Sequence, residues 1–475
     1  RQSRTYRARV GGGARQWECP VVVRWLKGKG RCLFATRALG RGEAVYEERP
    51  FVAVQDTVNK LVTDCCGWCH RFVGSVAHQL ALLAHPTEHV RGTLGPAHAP
   101  PTLSVPPVGE SLPRAVPCEH GCHERYCSER CRQAALRWGH GRLCRARAGN
   151  DAQALFALEA FAIQHHEPVR LAAVLLAAAV ERAGDGDEVI RPLRLLHKRP
   201  WWEVHPLEHA VCGEHGEGED GDGGADPFGL VAAAAEDDEG LIRAGYQRLV
   251  EAAAMHLRRA LRPPTAGEPL FTPVAVGLLL GALEMNGVDL VVPSPVPAYV
   301  RRVCSEGMPG DRALLRQTLG QIRAQLDGED DSDDDDDGDG DPAFASAGPE
   351  GKDPDPYLPD EAAYVKLELD DLAHDLSDVV MKEVGWDFEF PHVSGTALYL
   401  VTSCANHSCD PNVFFYKREG VDTTNRIVLF AKRDILPGEE LCISYIDESH
   451  DRATRQSLLD FPYCFTCTCT RCYTD

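Results

Sequence analysis

Apolar and polar positions follow three regimes along the 475 residues. Between residues 17 and 59, short apolar runs such as Leu33-Phe34-Ala35 and Ala44-Val45-Tyr46-Glu47-Glu48 are broken by Gly and Pro. That pattern predicts short strands joined by turns. Residues 152–182 are dense in Ala and Leu, which at that length predicts helix, and residues 241–261 repeat the pattern. A third helical stretch, 271–285, runs into the stop signal Asn286-Gly287, and 311–326 predicts another helix. Beyond residue 397 short strands return, with 426–432 and 440–445 on either side of the turn Leu436-Pro437-Gly438-Glu439. No internal repeat recurs at a fixed period.

A chain with 44% apolar and 25% charged side chains can bury sizeable cores, which excludes wholesale disorder. The longest apolar runs, 171–180 and 274–280, are too short to cross a bilayer, and the arginine-rich start lacks a hydrophobic signal core. The expectation is a soluble monomer of the nucleus and/or cytoplasm with no membrane partner. The net charge of −21 is local: segments 327–341, 214–226 and 236–239 hold 11, 6 and 4 acids with no Lys or Arg. These account for the whole excess, so the rest of the chain is neutral. Such Asp- and Gly-rich runs cannot offset the entropy of ordering and read as solvated insertions. A neutral body is also a poor phosphate partner, so direct nucleic-acid binding is not expected.

Cysteine is the informative component. There are 19, and many fall in pairs with metal-ligand spacing. Cys66-x2-Cys69, Cys118-x3-Cys122, Cys127-x3-Cys131 and His140-x3-Cys144 supply the eight donors that two tetrahedral zinc ions require. Cys65 reads as a spectator that could substitute for Cys66. Two filled shells leave no open coordination position, so the ions are structural. A third group, Cys467-x-Cys469-x2-Cys472, is one donor short. Cys409 is the best fourth ligand. A zinc spanning Cys409 and the last residues would fasten the chain end across the Asn406-His407 loop and build the wall of a pocket.

The pattern Cys-x3-Cys after Tyr126, then Trp138 and His-x3-Cys, resembles a MYND finger. The resemblance implies that Cys66, Cys69, Cys127 and Cys131 share one zinc and that Cys118, Cys122, His140 and Cys144 share the other. The three-residue gap after Cys118, where the family has two, leaves His120 as a weak substitute. Asn406-His407-Ser408-Cys409-x-Pro411-Asn412, then Gly438-Glu439-Glu440-Leu441 leading to Tyr445, then Tyr463-Cys464-Phe465 and the final cysteines, resemble a SET domain with its post-SET segment. Together these motifs resemble the SET and MYND domain protein-lysine methyltransferases, and most of all their fifth member, which has no C-terminal helical-repeat domain.

That resemblance implies a mixed α+β protein: a SET fold of short strands in a pseudoknot, split by the finger and a helical insert and closed by a post-SET zinc segment. The expected divisions are N-terminal SET strands 17–62, the MYND finger 63–147 and a helical insert 148–326 with an acidic loop at 213–240. An acidic insertion follows at 327–360, then core SET 361–447 and the post-SET segment 448–475.

The implied reaction is methyl transfer from S-adenosylmethionine to a lysine amine, with three structural zinc ions. Tyr445 matches the catalytic tyrosine. Arg31, Asn286, Asn406, His407, Tyr445, Tyr463 and Phe465 fall on the cofactor side. His407 is not expected to act as a general base, and Asn286 as a bare sequence feature is only a helix cap. The family's Gly-x-Gly-Leu-x-Ala loop meets Gly30-Arg31-Cys32-Leu33-Phe34-Ala35 here, with Cys32 at the second glycine. A backbone of negative φ could accept Cys there but a left-handed one would be strained, and in either register the departure predicts slower or weaker cofactor use than a consensus loop gives. The other register, Gly28-Lys29-Gly30, restores both glycines and places two extra residues before Leu33. The implied substrate is a histone tail or another basic protein such as a ribosomal protein, and a Pro-rich peptide is a candidate ligand of the finger. The rival reading is a catalytically weak zinc scaffold that recruits partners through the finger.

Overall fold

Residues 19–85, 112–182, 186–193, 196, 199–204, 239–327, 390–418, 420–463 and 465–474 are described by a computed structural model. The acidic segment 214–226, nearly all of 327–360, all of 361–389 and much of the loop 92–117 lie outside them.

Val21–Leu26 (β1) and Gly30–Ala35 (β2) form an antiparallel hairpin in which Val21 faces Ala35 and Leu26 faces Gly30. Alternation sends Val21, Leu33 and Ala35 into the β core, while Val22, Cys32 and Phe34 cluster on the other face. The next strand comes from the far end of the chain. Leu441 of Glu440–Ile443 (β12) pairs with Leu33, and Cys442 and Ile443 pair in parallel with Asn406–His407 (β9). The order β1-β2-β12-β9 therefore joins the N-terminal hairpin to the Asn-His segment through one strand.

A second sheet runs Val413–Phe415 (β10), Ile427–Ala431 (β11), Ala44–Glu48 (β3). A third runs Val52–Gln55 (β4), Val393–Leu398 (β8), Gly287–Val292 (β7), and Val116–Pro117 (β5) pairs with Arg125–Tyr126 (β6) in the cysteine-rich module. The preceding helix ends at Asn286-Gly287 as the sequence reading has it, but strand β7, which that reading did not include, begins there at once. Gly287 has φ −64° and extended backbone, so the helix Pro273–Asn286 passes directly into a strand.

The stretch 152–182 forms two helices, Ala152–His165 and Pro168–Glu181. The break falls at His166, whose backbone is extended, and the second helix starts with Pro168 in its first turn, where the missing N–H has no intrahelical partner to lose. The second helix buries Val169, Leu171, Ala172, Leu175, Leu176 and Ala179, which is most of its circumference. Each Leu so buried contributes roughly 1.5–3 kcal/mol. Trp138 seats the cysteine-rich module on this core. Its ring meets Phe51 edge-on at 5.5 Å and Trp68 at 6.4 Å.

Candidate functional site

Three sets of four side chains bring their ligand atoms within 4.8 Å of one another: Cys66, Cys69, Cys127, Cys131; Cys118, Cys122, His140, Cys144; and Cys409, Cys467, Cys469, Cys472. In the first, Cys127 Sγ lies 3.5 Å from both Cys69 and Cys131 Sγ. In the second, Cys118 Sγ lies 3.8 Å from Cys144 Sγ and 3.3 Å from His140 Nε2. In the third, Cys409 Sγ is 3.9 Å from Cys467 Sγ and 3.4 Å from Cys472 Sγ. A tetrahedron with zinc–sulfur bonds of about 2.3 Å has edges of about 3.8 Å, so the spacing and the donor chemistry both fit zinc. Cys65 stands apart with its buried thiol donating to Gln55 Oε1 at 3.2 Å, and His120 faces Glu119.

The third set joins residues 58 or more apart in sequence, and the helix Arg452–Tyr463 positions it. Gln456 clamps the Cys467 backbone, donating to its carbonyl and accepting from its N–H at 2.9 Å each. Arg455 is buried with its guanidinium 3.9 Å from Cys472 Sγ, beside a set whose four thiolates would leave a bound zinc with two surplus negative charges.

Next to this set the aromatic residues converge. Tyr445 lies 4.8 Å from the Tyr463 ring and 5.4 Å from His407, and Phe465 lies 6.0 Å from His407. The Tyr445 hydroxyl donates to the Ala405 carbonyl at 2.8 Å, and the Tyr463 hydroxyl reaches the Tyr445 carbonyl at 3.5 Å. Burial pushes the Tyr445 pKa up, against a smaller opposite pull from the Arg31 guanidinium, so the phenol stays protonated. Arg31 is tied in through its carbonyl, which accepts from Asn406 Nδ2 at 3.2 Å.

The two asparagines are spent inside the protein. Asn406 Nδ2 shares its hydrogens among Arg31 O, Cys32 Sγ and Glu440 Oε1 at 2.9–3.2 Å. Asn286 Nδ2 donates to Ala282 O at 2.7 Å, while its own carbonyl accepts from Ser403 Oγ at 3.1 Å, which holds the helix end against the turn that leads to Asn406.

Cys32 sits in β2 without a positive φ, and burial pushes its thiol up to about 11. Its backbone is therefore unstrained, and Gly28 and Gly30, at φ +89° and +78°, form the turn. Arg31 and Cys32 continue the strand, and alternation leaves Leu33 and Ala35 on the core face.

One residue that sequence reasoning missed is Glu48. Its buried carboxylate accepts from the N–H groups of Val401 and Thr402 at 2.9 and 2.8 Å and from the Thr402 hydroxyl at 2.7 Å. It thereby caps the turn Thr402–Cys404, whose next residue receives the Tyr445 hydroxyl. An acid at the end of a strand carries no sequence signal for that task.

A SET domain family model matches residues 324–446. The chain is a SET-type protein-lysine methyltransferase. It is 26% identical over 453 residues to the protein-lysine N-trimethyltransferase SMYD5 of Gallus gallus, covering 94% of this chain and 83% of that protein. The histone-lysine N-methyltransferase ATXR2 of Arabidopsis thaliana is 25% identical over 511 residues, covering 94% and 88%. A SET and MYND domain-containing protein of Dictyostelium discoideum is 40% identical over 82 residues, 17% of this chain and 23% of that protein. The SET match begins after the N-terminal hairpin, yet β2 pairs with β12 inside the same sheet.

Proposed function

We propose that the chain is an S-adenosylmethionine-dependent protein-lysine N-methyltransferase acting on a histone or another basic protein, with Tyr445 as the catalytic residue. In this reading the SET strands (17–62 and 361–447) are split by a MYND finger (63–147) and a helical insert (148–326) and closed by a post-SET zinc segment (448–475). What carries it is the convergence of Tyr445, Tyr463, Phe465 and His407 beside the cysteine set that ties residues 467–472 to Cys409. A scaffold needs the metal ligands alone and gives no reason for that aromatic cluster. The names of the ATXR2 and SMYD5 relatives support a lysine substrate.

The aromatic wall with Arg31 as a nearby cation suits a ligand that bears an adenine, a sulfonium and a carboxylate. Arg31, Asn286, Asn406, His407, Tyr445, Tyr463 and Phe465 are the residues assigned to hold it, Asn286 and Asn406 mainly by shaping the turn. When bound, S-adenosylmethionine supplies a methyl group on a positive sulfur for in-line displacement by an amine. The protein's part is to deliver that amine neutral and aligned. Lysine's ordinary pKa is about 10.4, and a desolvated aromatic channel disfavours its ammonium form. The Tyr445 hydroxyl has committed its proton to Ala405 O, so its oxygen lone pairs are left to accept from the amine and orient it. The three four-donor sets hold structural zinc, the third keeping the aromatic residues of the chain end in place.

The test is transfer of labelled methyl groups from S-adenosylmethionine to a basic protein extract by the full chain and by Tyr445→Phe. The variant is expected to lose activity by about a hundredfold or more. Equal labelling would refute the assignment of Tyr445, and no labelling by either protein would refute the activity.

A further inference from the structure

The β1–β2 hairpin projects past the core that its root helps to build. The row Val21, Val23, Trp25 starts among buried residues and ends with Trp25 74% exposed, and the adjoining Leu26 is also exposed. Between Arg24 and Arg31 there are four cations and no acid. Lys29 pairs with Glu440 at 2.9 Å, and Arg24 lies over the Phe34 ring, while Lys27 is exposed at the turn. Nothing approaches within 4 Å of a Cβ built on Gly28, so the turn is open to a second backbone.

We propose that this tip docks single-stranded nucleic acid, with Trp25 as the platform on which a base stacks and Arg24, Lys27 and Lys29 as phosphate contacts. Outside the acidic segments the chain is neutral only as a sum, and residues 19–31 hold four Lys and Arg and no acid. Such a local run of cations attracts a polyanion to this tip. Trp25 decides between polyanions. An acidic peptide offers carboxylates without a flat π face, whereas every base has one, and a duplex keeps its base faces stacked away.

The test is fluorescence anisotropy of a fluorescein-labelled 15-nucleotide oligouridine with the full zinc-loaded chain at 50 and 200 mM NaCl. Three phosphate contacts at roughly 0.7 counterions each give a log–log salt slope of about −2. Trp25→Ala is expected to weaken binding about tenfold, while Trp25→Phe, which keeps a ring, retains most of it. Both variants are expected to melt as the parent does and to transfer methyl groups to protein at the parental rate. The proposal is overturned by no binding at 50 mM salt or by parental binding in Trp25→Ala. Equal affinity for a duplex or for heparin would also overturn it. So would displacement of the oligonucleotide by S-adenosylmethionine, which would make the tip part of the cofactor site. Methyl transfer is read separately, so its loss would count against the proposed reaction and not against this docking element.

Discussion

The backbone N–H of Tyr445 donates to Nδ1 of His407 at 3.0 Å. A backbone N–H can only donate, so Nδ1 is the acceptor and the imidazole proton belongs on Nε2, which faces Cys409 Sγ at 3.3 Å. Burial lowers the His407 pKa to about 4, so the ring is neutral at pH 7. One imidazole thus ties the residue proposed for catalysis to a thiol of the terminal cysteine set, as a strut and not as a general base.

His407→Phe keeps a ring of similar breadth and removes the acceptor. The Tyr445 N–H then lacks its partner in a largely buried place, a loss of about 1–3 kcal/mol. The expected result is a lower melting temperature together with reduced kcat for methyl transfer. A variant that melts and turns over like the parent would show that the strut has no function.

The hairpin makes a prediction about parity. Cys32→Gly is expected to give no gain in S-adenosylmethionine affinity by calorimetry, because the strand needs no left-handed residue there. Deleting Arg31 and Cys32 together keeps Leu33 and Ala35 on the core face, so the chain still folds. Deleting Cys32 alone moves the register by one and turns the remaining strand inside out. Soluble yield and melting temperature distinguish the two deletions, and equal tolerance of both would contradict the register.

Burial raises the pKa of Glu48 above its ordinary value of 4.5. As pH rises the unfolded chain releases that proton first while the folded chain keeps it. The contribution to stability is full below 4.5 and is lost as pH climbs through the raised value. Glu48→Gln cannot satisfy the two N–H donors it faces and is expected to cost about 1–3 kcal/mol. That deficit should shrink between pH 4.5 and 7, because only the parent loses stability there. Melts of both proteins across this range check the sign, and a deficit that widens would contradict it.

Much of the site was legible because its chemistry demands particular residues at particular spacings. The terminal set lacked a fourth donor, and Cys409 in Asn406-His407-Ser408-Cys409, 58 residues before Cys467, is the cysteine that completes it. Leu33 and Leu441 were legible as strand residues through alternation, although the sequence gives no sign that they pair across more than four hundred residues. Strand β7 was hidden by Asn286-Gly287, a dipeptide whose usual meaning is a stop but which here carries extended backbone straight out of the helix. Glu48 and Arg455 were illegible for a different reason. A charged residue reads as solvent-facing until the fold surrounds it, and the N–H groups of 401–402 around Glu48, and the Cys472 sulfur and His450 carbonyl beside Arg455, give each its partners inside.

The account rests on the terminal cysteine set holding the aromatic wall against Tyr445. The most direct measurement is the zinc content per chain of Cys472→Ser by plasma mass spectrometry, read beside its methyl-transfer rate. The predicted result is two zinc ions where the parent holds three, unchanged helical circular dichroism, and a rate lowered by about a hundredfold or more as the reacting groups lose alignment. Three zinc ions, or two with the parental rate, would contradict it.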